Sequence, residues 1–205
     1  MLITAADPAH YSQQLAEKKL RVKQLLSEFD APTVEVFSSP TSAYRMRAEF
    51  RLWHEGEDLY YAMFDPAEPK TPVRVNRFDI ASERIQRAMP ELLEKLKPID
   101  ELRRKLFQVE FLSTCTNELL ITLIYHRPLE ENWEVAARAL ATDMDVRLIG
   151  RSRKQRVVLS EDYVDEELVV DGDTFQYRQF EQGFTQPNAA VNVEMLQWAC
   201  SNAVD

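Results

Sequence analysis

Glycine is scarce in this chain. There are four in 205 residues, Gly56, Gly150, Gly172 and Gly183, and no two stand in a G-x-G arrangement, which excludes a dinucleotide-binding turn or a phosphate-binding P-loop within it. Cysteine is scarcer still. Cys115 and Cys200 lie far apart, and neither shares a metal-ligand spacing with His10, His54 or His126. Two isolated thiols fit a reducing cytoplasm better than a disulfide scaffold. No stretch approaches the roughly 18 apolar residues of a membrane helix. The N-terminus shows no basic region followed by an apolar run, so the sequence reads as neither membrane-spanning nor secreted. A G-x-S-x-G nucleophile elbow is missing. Cys115 falls in an expected hairpin turn and Cys200 on an apolar helix, without an activating base beside either in sequence, so no catalytic residue and no metal ligand is assigned.

What is present is an ordinary globular composition, 45% hydrophobic and 29% charged, enough to bury a core. The net charge of −9 argues against nucleic acid only until its distribution is read. Residues 160–175 hold seven acids and no base, and outside them 27 acids face 25 bases. Residues 147–156 hold five bases and no acid. Such segregation permits a local basic surface on an acidic protein.

Asp7-Pro8 reads as a helix start, with Asp7 as cap. Tyr11, Leu15, Val22, Leu25, Leu26 and Phe29 then recur on one helical face. A short strand is expected at Val34–Phe37. Residues 44–53 alternate, with Met46, Ala48, Phe50 and Leu52 on one side and Arg45, Arg47, Glu49 and Arg51 on the other. Hairpins are expected at 44–64, 107–125 and around Asp171-Gly172. The prolines at 66, 69 and 72 mark a loop before a strand at Val73–Asn76. A helix starts near Ser82, and Pro90 predicts a kink or restart in it. Another helix spans 130–143, strands flank the basic stretch at 146–149 and 156–159, and Asn188 caps a terminal helix. Together these elements predict an α+β fold of antiparallel hairpins packed with helices. Residues 1–180 read as one unit, and residues 181–205 as a linker with a first helix leading elsewhere.

Three surfaces could recognise a ligand. Alternate arginines along a strand stand about 7 Å apart and can hold phosphates bidentately or stack on bases; they can equally form a solvated outer face paired with Glu49. The stretch Arg147–Arg156 is a second candidate. The third is Glu181–Asn188, with its amides, glycine and aromatic before a capped helix, which composition alone does not separate from an ordinary linker.

The segment Phe184-Thr185-Gln186-Pro187-Asn188-Ala189-Ala190, followed by Asn192, resembles the linker motif of the S-adenosylmethionine-dependent RNA 5-methyluridine methyltransferases. Ser39-Pro40, the run Tyr44–Arg51, Trp53-His54, Lys105–Gln108, Tyr125-His126 and Leu148–Arg151 are similar to the bacterial tRNA (uracil-5-) branch. The related rRNA enzymes begin with an oligonucleotide-binding barrel and carry a cysteine cluster, which this chain lacks. The resemblance implies a tRNA T-arm partner, with transfer-messenger RNA as a further one, S-adenosyl-L-methionine as cofactor and no metal. In the family a thiolate adds to C6 of an extruded uracil, C5 takes the methyl group, and a base removes the C5 proton. The nucleophilic cysteine, cofactor loop and base belong to a Rossmann-like domain not found in these 205 residues, so the chain alone is expected to recognise RNA without catalysing methylation.

By the same resemblance Gln186 contacts the cofactor or target pocket, with Phe184 beside it, and Arg51, Phe107 and His126 face the T-loop. Arg47, Arg151, Arg153 and Lys154 are assigned to phosphates. Read without the family, Phe107 is core and His126 a strand-end histidine. Two other readings stand beside this one: a free-standing RNA-binding module, and a protein-interaction domain using the acidic 160–175 stretch. An exposed apolar side on the last helix, at Val191, Leu196 and Trp198, would separate the methyltransferase reading from a self-contained module.

Overall fold

The structure, a computed structural model, describes residues 7–203. The alternating stretch becomes β1 (Arg47–Glu55), with Ala48, Phe50 and Leu52 buried and the arginines outward. It pairs antiparallel with β2 (Asp58–Asp65) through the tight turn at Gly56. Next come β3 (Glu68–Arg74), α2 (Glu83–Leu96), the short α3 (Asp100–Arg103), β4 (Leu106–Ser113) and β5 (Leu119–Tyr125). They are followed by α4 (Glu131–Met144), β6 (Arg147–Ser152) and β7 (Gln155–Val158). The seven strands form one sheet in the order β3-β2-β1-β4-β5-β6-β7. Every pairing is antiparallel except β5–β6, which α4 joins as a crossover.

The core lies on one face of the sheet. Ile85, Met89, Leu92 and Leu96 of α2, and Trp133, Ala137 and Leu140 of α4, pack there against Phe50, Tyr61, Phe111 and Ile121. Ser82 caps α2 by accepting from the Ile85 N–H and bonds Ser113 across to β4. Gly150 is required by the close approach of α4: a Cβ there would stand 2.1 Å from the ring of Trp133.

The opposite face is partly covered by a second, two-stranded sheet of β8 (Tyr163–Val170) and β9 (Asp173–Phe180). The two residues of its turn, Asp171 and Gly172, have φ of 52° and 90°, the left-handed pair a tight hairpin requires. Val164 of β8 seals Leu112, Leu120 and Ile149. The chain then crosses back to α5 (Ala189–Asn202), capped by the Asn188 side chain on the Val191 N–H.

Several expectations are corrected. Asp7 makes no side-chain cap; Pro8–His10 is a 3₁₀ turn leading into α1 (Tyr11–Leu25). The apolar stripe of α1 is present but no residue of it is fully buried: Tyr11 accepts from the Ser39 N–H, while Val22, Leu25, Leu26 and Phe29 stand exposed. Val34–Phe37 pairs with no strand. The proline-rich 68–72 stretch is a strand, because β3 is the sheet's edge and a proline can turn its missing N–H outward there. Pro90 leaves α2 unbroken, the burial of Met89, Leu92 and Leu96 outweighing the one backbone bond it removes.

Candidate nucleic-acid interface

The open part of the outer face is built by registration. Arg51 pairs with Ala62 and, beyond it, Arg74; on its other side lie Gln108, Ile124, Arg151 and Arg156 in turn. One transverse row thus carries four arginines across the seven strands.

Beside this row sits an aromatic column. The β4–β5 register shifts between Leu106 and Gln108, so Phe107 is the extra residue of a β-bulge, a device that re-aims a side chain. Lys105 just before it has φ of 58°, and its carbonyl accepts from the His126 N–H at 3.0 Å. The Phe107 and His126 rings consequently stack, with centroids 3.9 Å apart and planes 25° from parallel. The Arg51 guanidinium lies 3.8 Å above the centroid of Phe107. Two groups this close to one centroid cannot share a face, so Phe107 is the middle layer and the column's free faces belong to Arg51 and His126. Three residues far apart in sequence, each expected at the RNA, are brought together. His126 also lines a cavity of about 820 Å³ with Ile124, Pro128, Arg151 and Arg153.

Other expected residues are committed within the chain. Arg47 donates to the carbonyls of Gly183 (2.8 Å) and Glu181, holding the 181–183 segment onto β1. Arg151 donates to both carboxylate oxygens of Glu181, at 2.5 and 2.7 Å. Glu181 is only 2% exposed and also accepts from Arg156 (3.1 Å) and Thr122 (3.2 Å). Burial works to raise its pKa, and the bonds and charges of Arg151 and Arg156 outweigh that, holding it below the usual carboxylate value. Arg147 faces Glu118, Glu161 and Asp165, and Arg156 also meets Asp162. The basic stretch is therefore largely neutralised. Among the described residues Arg153 and Lys154, exposed at the β6–β7 turn, have no carboxylate within salt-bridge reach. Part of the acidic stretch is engaged in the same contacts: Glu161, Asp162 and Asp165 face arginines, and Glu166, 2% exposed, accepts from the Cys115 and Glu167 N–H groups, whereas Glu167, Asp171 and Asp173 stay exposed.

Sequence reasoning missed Glu181 as an organising residue. It stands at the head of the amide-rich 181–188 segment, but nothing local shows that its partners lie 25 and 30 residues upstream.

Phe184 is 85% exposed. Gln186 lines a cleft of about 450 Å³ between β9 and α5, with Tyr177, Phe180, Asn192 and Leu196. Gln179 Oε1 and Thr185 Oγ1, on the same cleft, are buried without a hydrogen-bond partner. The cleft offers one wall for a ligand. It presents no carboxylate for ribose hydroxyls, and its one glycine, Gly183, stands in a single turn rather than a glycine-rich loop, so it does not constitute an S-adenosyl-L-methionine site by itself. Of the apolar residues expected on α5, Leu196 and Trp198 are exposed, with Met195 beside them, while Val191 is half-buried and the Trp198 indole N–H donates to Glu35 at 3.0 Å. Among the described residues no cluster of three or more histidines, cysteines or carboxylates could hold a metal, and no helix is long and apolar enough to cross a membrane.

The family model described as tRNA (Uracil-5-)-methyltransferase matches residues 10–205. The chain belongs to this family. Among curated relatives, the tRNA/tmRNA (uracil-C(5))-methyltransferase of Aromatoleum aromaticum is 55% identical over 200 residues, covering 98% of this chain and 54% of that protein. Its counterpart from Pseudomonas syringae pv. syringae is 53% identical over 193 residues, covering 94% and 54%. The chain thus spans about half the length of these relatives. The crystal structure of Pyrococcus abyssi tRNA (uracil-54, C5)-methyltransferase in complex with S-adenosyl-L-homocysteine superposes with a TM-score of 0.66 at 17% identity, over 95% of this chain and 48% of that one. At that identity the likeness establishes the fold.

Proposed function

We propose that this chain is the RNA-recognising portion of a cytoplasmic, S-adenosyl-L-methionine-dependent methyltransferase that forms 5-methyluridine in the T-loop of tRNA and of transfer-messenger RNA. The observation that carries the reading is the Arg51–Phe107–His126 column on an open sheet face. Single-stranded loop bases are held by stacking on aromatic and guanidinium planes, and a loop whose target uridine is extruded exposes neighbouring bases that need such a surface. His126 offers its free ring face at the edge of the large cavity, and Arg153 and Lys154 supply charge for the backbone. Arg47 serves instead to hold the segment carrying Phe184 and Gln186. That segment, with the exposed side of α5, turns toward a methyltransferase unit in which the chemistry takes place. Recognition and positioning of the RNA are this chain's share, and it is inactive alone.

The test is the affinity of the 205-residue chain for a T-stem-loop against a hairpin of equal length with a scrambled loop. Stacking is worth roughly 1–3 kcal/mol per base, so His126→Ala, which removes the column's free aromatic face, should weaken the T-stem-loop about 5- to 150-fold and the scrambled hairpin far less. Equal losses on both RNAs, or none, would sink the reading.

A further inference from the structure

The Glu181 carboxylate sits on the outer face with its charge turned against two arginines of the transverse row. Arg151 has no other carboxylate within salt-bridge reach among the described residues, whereas Arg156 keeps Asp162. The Arg47 bonds go to backbone carbonyls and do not depend on that carboxylate. A residue required only to anchor the 181–183 segment would need no buried charge, because Arg47 already anchors it.

We propose that Glu181 is a specificity-determining residue: by withholding the Arg151 guanidinium from RNA phosphates, it suppresses sequence-independent binding on this face and leaves discrimination to the Arg51–Phe107–His126 column. The inference rests on the RNA-binding reading above. Phosphate contacts add affinity for every RNA alike and carry no sequence information. Arg151 lies in the same row as Arg51, three strands away, about 14 Å at ordinary strand spacing. Left free, it would hold the backbone of any strand lying across the sheet. Paired with a buried carboxylate, it contributes shape to the cavity wall beside His126 and almost no net charge.

The experiment measures the affinity of the 205-residue chain and its variants for the T-stem-loop and the scrambled hairpin over a series of salt concentrations. Glu181→Gln keeps the side-chain shape and releases Arg151. It should tighten both RNAs, the scrambled hairpin by the larger factor, and steepen the slope of log affinity against log salt by about 0.7–0.9, one added phosphate contact. Glu94→Gln makes the same change in net charge on α2, on the other side of the sheet, and should leave the slope alone. Arg151→Gln in the otherwise unchanged chain should not flatten the slope, and added to Glu181→Gln it should abolish the gain. The proposal is overturned if Glu181→Gln gives the slope of Glu94→Gln, or if Arg151→Gln alone flattens the slope, which would mean that Arg151 already touches phosphate. Arg151→Gln decides the matter even if Glu181→Gln does not fold. A parent chain with no preference for the T-loop would fail the recognition reading, while the slope comparison would still decide whether Glu181 withholds Arg151.

Discussion

Of the four glycines, Gly150 is the one whose surroundings leave no room for a side chain. A Cβ built on it falls 2.1 and 2.5 Å from two ring carbons of Trp133 and 2.8 Å from a methyl of Leu129, where carbon pairs normally sit about 3.5–4.0 Å apart. Trp133 is 1% exposed and wedged between α4 and the sheet, so its ring would have to move more than an ångström through a close-packed core. Overpacking of this kind costs about 1–3 kcal/mol, more where the obstacle is rigid. At the upper end, Gly150→Ala should lower the melting temperature by about 6–12 °C in a chain of this size. Urea unfolding followed by circular dichroism should show a lower midpoint with an unchanged slope. Trp133→Phe removes the two offending ring carbons, and its indole N–H lies near Tyr125 without reaching good hydrogen-bond geometry, so little is lost with it. The double variant should therefore be more stable than the sum of the singles by roughly 1–3 kcal/mol. Gly150→Ala melting with the parent chain, or strict additivity in the double variant, would refute the close approach of α4 to β6 as the reason for glycine here.

Three other outcomes are expected. Glu110, half-buried on the outer face of β4, has its carboxyl pushed up chiefly by burial, so its charged form costs stability at neutral pH, a cost that disappears as pH falls through its raised value. Glu110→Gln should therefore raise the melting temperature at neutral pH, with the gain shrinking toward about pH 4. The Cys115 thiol is pushed up to about 11, by burial first and then by the Glu166 carboxylate. Mass-resolved alkylation should find it slow at neutral pH despite its exposure, still accelerating toward that value, and faster in Glu166→Gln. Ser82→Ala removes the α2 cap and the 2.7 Å bond to Ser113, and should cost about 1–2 kcal/mol in chemical unfolding.

The parts of the fold that could be read in the residues are those governed by local pattern. The alternation of 44–53, the Asp171-Gly172 turn, the helix start near Ser82, the Asn188 cap and the helix over 130–143 all follow from spacing and turn chemistry. The β3 strand was hidden because proline argues against a strand until one knows that it lies at an edge. The stripe on α1 has helical spacing, yet spacing says nothing about whether a second surface meets it. Charge was the least legible. Residues 147–156 look like an open basic run because their neutralising partners, Glu118 and Glu181, lie outside the run. The acids of 160–175 read as one surface for a basic partner, yet Glu161, Asp162 and Asp165 meet arginines of the chain itself. The column was visible only as separate residues in a family resemblance; the bulge that turns Phe107 between Arg51 and His126 leaves no local signature.

An open sheet of seven strands has two unpaired margins, each a template on which another chain could add strands. Here one margin is β3, where Pro69 and Pro72 interrupt the row of donors and Glu68, Lys70 and Arg74 bring charge to it. The other is β7, only four residues long, with Arg156 in it and Arg153 and Lys154 just before it. Neither offers a long, flat, uncharged run. The prolines that disguise β3 in the sequence thus keep the sheet from growing, and a chain with Pro69 and Pro72 replaced by threonine would gain an edge suited to self-association at the concentrations of protein synthesis.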